Sequence, residues 1–281
     1  MLKLDAHHHF WNYDPVEYPW IDDNMSVIRR DFLPADLQAE MAPAGVSGAI
    51  SVQARQTLEE THRLLEFAGQ NDFIRGVVGW APLVEPNVGD TLAELASNLK
   101  LRAVRHVLQD ELDPFYALRE DFNAGIGALM PLNLAYDILI FGRHLPQTIT
   151  FVDKHPNQTF VLDHLGKPRV RNGEISPWRE NIRDLAMREN VYCKISGLAT
   201  EANYSSWTEA QLRPYLDTVL AAFGPQRLMF GSDWPVCLVA ISYSHWISIV
   251  SNAIRSLTQS EQQRIWSGTA AEAYRLKHSL S

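Results

Sequence analysis

The chain has 281 residues, 46% hydrophobic and 21% charged, with a formal net charge of -8. That is ordinary globular usage, which excludes a disordered, fibrous or low-complexity protein, and the negative balance disfavours nucleic acid and anionic membrane surfaces as partners. One domain over 1–281 is expected, because α/β barrels of this length are not divided by arithmetic.

From the N-terminus, Met1-Leu2-Lys3-Leu4-Asp5 runs into a histidine cluster without an apolar leader, and no stretch of 18 uninterrupted apolar residues follows. Cys193 and Cys237 each lie in an apolar stretch, so a disulfide framework is not indicated and a reducing, cytoplasmic setting without membrane attachment is expected. Nothing in the sequence bears on oligomeric state.

Short β-branched or apolar runs predict strands over 2–9, 47–53, 76–81, 103–107, 135–141, 159–164, 191–196 and 227–231. Amphipathic stretches between them, at 58–69, 91–99, 177–189 and 209–223, carry apolar residues at steps of three and four. This alternation predicts a parallel sheet with helices outside it, and eight repeats allow closure into a barrel, although an open doubly wound sheet gives a similar pattern. There is no phosphate-cradling glycine motif and hence no call for a nucleotide cofactor.

Barrel active sites lie at the carboxyl ends of the strands, so polar residues there are the first candidates. Strand one closes with Asp5-Ala6-His7-His8-His9, and side-chain alternation puts His7 and His9 on one side with His8 on the other. The bland reading, a tag remnant or solvated polar residues, is opposed by this strand context. Further along, 160–164 ends in His164 and 228–233 ends in Asp233. A lone histidine at a strand end is more often structural, but three imidazoles and a carboxylate converging at one barrel mouth suit Zn²⁺ with an open position for water. Such an ion makes hydroxide available near neutral pH, and Asp233 is placed to take the proton.

Several stretches taken together resemble the amidohydrolase-related sugar lactonases, the family of L-fuconolactone and L-rhamnonolactone hydrolases, with 2-pyrone-4,6-dicarboxylate lactonase more distant. They are 5–11 (Asp5 to Trp11), 18–21 (Tyr18 to Ile21), 76–80, Val104-Arg105-His106, 163–168, Lys194-Ile195-Ser196-Gly197-Leu198 and Gly231-Ser232-Asp233-Trp234-Pro235. The resemblance implies a distorted TIM (β/α)8 barrel of the amidohydrolase superfamily. It also implies a carboxylic-ester hydrolase opening a sugar-acid lactone, with His7, His9, His164 and Asp233 at the centre. Asp233 is then the general base, with His164 beside it as a catalytic residue. His8 stands where glutamine is expected, and Ala103 where glycine is expected; neither touches the proposed ligands. The second middle-strand histidine of the metal-dependent superfamily is not evident, which argues against two metals. One divalent ion, Zn²⁺, is favoured, with a metal-free course left open in which the histidines donate to the lactone carbonyl.

Arg105 and His106 are candidates for lactone oxygen recognition, the competing reading being an arginine paired with a carboxylate near the mouth. Among Trp11, Trp20, Trp80 and Trp234, Trp20 is the first choice for a sugar-ring platform because it falls in a loop after strand one. Asp137 and His144 flank a strand end and are weighed as hydroxyl-binding residues, with solvent-facing roles the expected reading for either. Two other functions share these features: a zinc-dependent decarboxylase of the same superfamily, and a non-catalytic sugar- or metal-binding protein.

Overall fold

The computed structural model describes residues 2–276. Its eight strands are β1 (Lys3–His8), β2 (Val46–Val52), β3 (Ile74–Gly79), β4 (Leu101–His106), β5 (Ala135–Ile138), β6 (Phe160–Leu162), β7 (Val191–Ile195) and β8 (Leu228–Phe230). All neighbouring pairs are parallel and follow chain order. An α-helix follows each strand in turn: α1 (Pro34–Ala44), α2 (Leu58–Gln70), α3 (Val88–Ala96), α4 (Glu120–Gly127), α5 (Leu145–Asp153), α6 (Trp178–Leu185), α7 (Glu209–Phe223) and α8 (Tyr243–Ile254). Every expected strand is present, and sequential order decides for a barrel over a doubly wound sheet.

Closure is unusual. Past the end of β8 the chain continues alongside β1, where His8 bridges Trp234, Asp233 N–H donates to the His7 carbonyl at 2.8 Å and His9 N–H donates to the Trp234 carbonyl at 2.7 Å. The seam is therefore completed by the segment that carries Asp233. Asp5, buried on the outer side, reinforces it by accepting from the backbone N–H groups of Ser232 at 2.8 Å and His7 at 3.1 Å.

Two apolar layers hold the barrel. One lies between strands and helices, and the other fills the interior with Leu4, Ala6, Ile50, Val52, Val78, Ala103, Val161 and Met229. A C-terminal segment, α9 (Gln259–Gln263), one π turn (Arg264–Gly268) and α10 (Thr269–Ala273), folds under the barrel, so that Ala270, Ala273, Tyr274 and Leu276 seal its floor. Above the apolar floor the same inward register delivers Arg105 on β4, Asp137 on β5 and Asp163 after β6, each two residues beyond an interior apolar position, and Lys194 on β7, two beyond Tyr192, which is half-buried against the floor. On β1 a register shift between Asp5 and His8 lets Ala6 join the floor while His7 points into the mouth. No helix among the described residues is long and apolar enough to cross a membrane.

Candidate active site

The layer just above the floor is ionic and has no exposed side chain. Lys194 Nζ lies 2.6 Å from Asp137 Oδ2, 3.0 Å from Asp163 Oδ1 and 3.1 Å from His7 Nδ1. Tyr274 rises from the floor and donates its hydroxyl to Asp137 Oδ2 at 2.7 Å. Arg105 Nη1 reaches Asp163 Oδ2 at 3.0 Å and His7 Nε2 at 3.4 Å, while Gln53 holds the other guanidinium nitrogen. Two cations thus meet two carboxylates, which is how a protein interior tolerates ions at all.

On this layer stand the histidines. His7 Nε2 and His9 Nε2 are 3.2 Å apart, and Asp233 Oδ1 lies 3.8 Å from His7 Nε2, 3.4 Å from His9 Nε2 and 3.9 Å from His164 Nε2. Burial works to raise the Asp233 carboxyl, but His164, His9 and Lys167 together hold it below its ordinary value, so it is ionised at neutral pH. Burial lowers His164 to about 4 and takes His7 well below the usual imidazole range, the latter helped by Lys194. Both rings are neutral, the state in which imidazole binds a metal or donates one N–H.

The chain adopts left-handed backbone at two residues of this cluster, with φ 53° at His164 and 60° at Asp233. Such conformations cost free energy in non-glycine residues and persist where the surroundings impose them. This turn also ends β6 at Leu162, before the limit that the apolar run suggests. Gly197, at φ 60°, makes room for the pair: a Cβ there would sit 2.5 Å from His164 Nδ1 and 3.1 Å from Asp233 Oδ2. Gly197→Ala is therefore expected to lower kcat about 100-fold, the usual result of misplacing a reacting group by an ångström, with an unchanged far-UV spectrum. Turnover within threefold of wild type would show that the close approach is not needed.

The donor set fits a single borderline metal ion. His7, His164 and Asp233 each bring a ligand atom within 4.8 Å of the others, and His9 Nε2 borders His7 and Asp233. Each ring also has an outer partner on Nδ1: Asp163 at 3.3 Å from His7, the Val52 carbonyl at 2.8 Å from His9 and Ser196 Oγ at 2.9 Å from His164. Outer acceptors of this kind fix the tautomer that presents the Nε2 lone pair to a metal. Lys194 competes for His7, because it donates to Nδ1 only when the ring proton sits on Nε2.

The centre opens into a cavity of about 520 Å³ bordered by His9, Trp20, Arg55, Arg105, Glu111, His164, Lys167 and Asp233, a size suited to a small-molecule ligand. Of the sequence candidates, His7, His9, His164, Asp233 and Arg105 converge, and Trp20 stands at the cavity wall, partly exposed. His106 does not converge: alternation along β4 turns it away from Arg105, against Tyr116 and Glu111. Trp11 and Trp234 are packed in the core, and Trp80 does not border the cavity. The expected solvent-facing roles of Asp137 and His144 are corrected, since both are buried, Asp137 under Lys194 and His144 against Arg143 and the Phe141 backbone. Sequence reasoning missed Lys194 and Asp163 as site residues; a lysine at an inward position of an apolar strand was the available signal.

Residues 4–276 match the amidohydrolase family model. The chain is 42% identical over 286 residues to an L-fucono-1,5-lactonase of Burkholderia multivorans, covering 98% of this chain and 96% of that one. It is 34% identical over 279 residues to an L-fucono-1,5-lactonase of Burkholderia ambifaria, again covering 98% and 96%. A crystal structure of a Burkholderia multivorans amidohydrolase with bound zinc superposes with a TM-score of 0.95 at 41% identity, over 98% of this chain and all of the other. With the barrel, the family model and near full-length relatives in agreement, the chain belongs to the amidohydrolase family.

Proposed function

We propose that the protein is a lactonase that opens the ring of a sugar-acid lactone of the L-fucono-1,5-lactone type, with Asp233 as the general base. The observation that carries this reading is an ionised, buried carboxylate held among three imidazoles at the base of a small-molecule cavity. The names and near full-length coverage of the two curated relatives support it.

The residues suggest the following sequence. Asp233 takes a proton from water as the water oxygen bonds to the lactone carbonyl carbon. The resulting oxyanion is met by Arg105, whose guanidinium borders the cavity and is held rigid by Asp163 and Gln53. Collapse breaks the ring C–O bond, and Asp233 returns its proton to the departing alkoxide. Trp20 offers a ring face to the sugar. Zn²⁺ is the ion proposed for His7, His9, His164 and Asp233, where it would polarise the carbonyl and acidify water.

A dicarboxylate lactonase must hold two substrate carboxylates, which calls for several unpaired cationic side chains. The cations around this cavity are already paired: Arg55 with Glu17 and Glu60, Arg105 with Asp163, Lys167 with Glu201. A neutral polyol ring is favoured. The two buried free thiols, Cys193 and Cys237, fit the cytoplasmic location that is part of this proposal.

Opening a lactone yields a carboxylic acid, so proton release followed with a pH indicator on a panel of aldonolactones tests the reading. Release from L-fucono-1,5-lactone or a close stereoisomer is expected, and release at the blank rate from every lactone would overturn it. Elemental analysis should find one zinc per chain, and chelation should lower turnover at least tenfold until zinc is restored. Full turnover in zinc-free protein would reassign the histidines as hydrogen-bond donors.

A further inference from the structure

His106 and Glu111 form a unit that ring opening, as described, does not use. The His106 ring is buried and stacked on Tyr116, with planes 7° apart and centroids 5.0 Å apart, and Phe122 meets its edge at 5.7 Å. Locked in this way, its Nε2 lies 2.6 Å from Glu111 Oε1. Burial lowers the imidazole, so the neutral ring N–H is the donor and the carboxylate the acceptor.

Glu111 borders the cavity, and its side chain is only 26% exposed. Among the described residues its carboxylate makes no hydrogen bond or ion pair other than that with His106, leaving Oε2 with its full accepting capacity. No neighbouring cation uses that capacity, because Arg55, Arg105 and Lys167 are committed elsewhere. Asp233 serves the reacting centre. Glu17 is taken by Arg55, and Asp110 has no partner of comparable closeness to hold it. Glu111 is thus the one bordering carboxylate that is both held in place and open.

A fixed carboxylate oxygen at a cavity wall accepts hydroxyl hydrogens without having to be ordered first, the arrangement that makes a hydrogen bond selective. We propose that Glu111, positioned by His106, forms a hydroxyl-accepting subsite that selects lactones bearing a ring hydroxyl at one particular carbon. The inference rests on the lactonase reading and deepens it: Asp233 opens the ring, and Glu111 decides which rings are presented. His106 acts only through Glu111 and is a positioning residue.

The test pairs enzyme variants with substrate analogues. kcat/KM is measured for wild type, Glu111→Ala, Glu111→Gln and His106→Phe on L-fucono-1,5-lactone and on its singly deoxygenated analogues. On the parent lactone Glu111→Ala should lose about 10- to 100-fold, the usual range for one hydrogen bond to a charged group, chiefly through KM. For one analogue, wild type should already be that slow and Glu111→Ala should lose nothing more, since the partner hydroxyl is gone. Glu111→Gln should keep part of the selectivity. His106→Phe, which retains the stack on Tyr116, should lose selectivity in the same direction. If the variant and analogue losses multiply for every analogue, or if Glu111→Ala is as fast as wild type on the parent, the subsite is wrong while the lactonase stands. If wild type opens no lactone at all, the underlying reading falls and takes the subsite with it. Melting temperatures of all variants separate these outcomes from misfolding.

Discussion

Asp233→Asn should lower kcat for lactone opening about 1,000-fold, the middle of the range for removing a positioned general base, with lactone affinity held within a few-fold. The amide has nearly the same shape, so the turn at φ 60° and its contacts with three imidazoles can persist. What it cannot do is accept the proton that water must lose. His164 is a poor substitute, because burial lowers its basicity to a pKa of about 4. Calorimetric titration with a non-hydrolysable cyclic analogue of the lactone would report binding, and proton release would report turnover. A variant retaining more than a tenth of wild-type kcat would move the base elsewhere.

Lys194→Met carries the largest expected cost in stability, about 3–5 kcal/mol by urea denaturation, because it leaves Asp137 and Asp163 buried without their shared ammonium. Turnover should fall with it, since Asp163, which holds His7 Nδ1, loses the ammonium that fixes its own position. The penalty should be smaller at pH 5 than at pH 8. Burial already raises the Asp137 carboxyl to about 6 in the presence of Lys194, and losing the ammonium raises it further. A carboxyl whose folded value exceeds its unfolded one binds protons more tightly when folded, so its contribution to stability declines as pH rises through that window. Adding Asp137→Asn to the variant should recover part of the loss at pH 8. A cost below 1 kcal/mol at both pH values would mean that water reaches this layer and screens it.

The outline of the site was legible from the sequence because barrel geometry ties side-chain alternation to position. His7, His9, His164 and Asp233 stand at strand ends, and the strands were visible as apolar runs. The ionic layer was not legible. Asp137, Asp163 and Lys194 lie on or just after separate strands and pair only once β5, β6 and β7 are neighbours in the sheet. Taken alone, each resembles a charge destined for solvent, which is why Asp137 was assigned there. His106 is a different case. Along β4, which pairs with β5 without a register shift, adjacent side chains alternate, so Arg105 borders the cavity while His106 packs against Tyr116; on β1 the register shift that turns His7 inward beside Ala6 breaks that alternation. The partner of His106, Glu111, sits in a loop whose path no periodicity describes.

The seam between His8 and Trp234 sets a condition on how the protein comes into being. The segment that covers the edge of the first strand is made more than 220 residues after that strand, on the order of tens of seconds later at ordinary rates of synthesis. Until then that edge has unsatisfied backbone groups and invites wrong pairings. A chain that stops before Trp234 lacks the seam that closes the barrel, so a partial product keeps this edge open to mispairing and proteolysis.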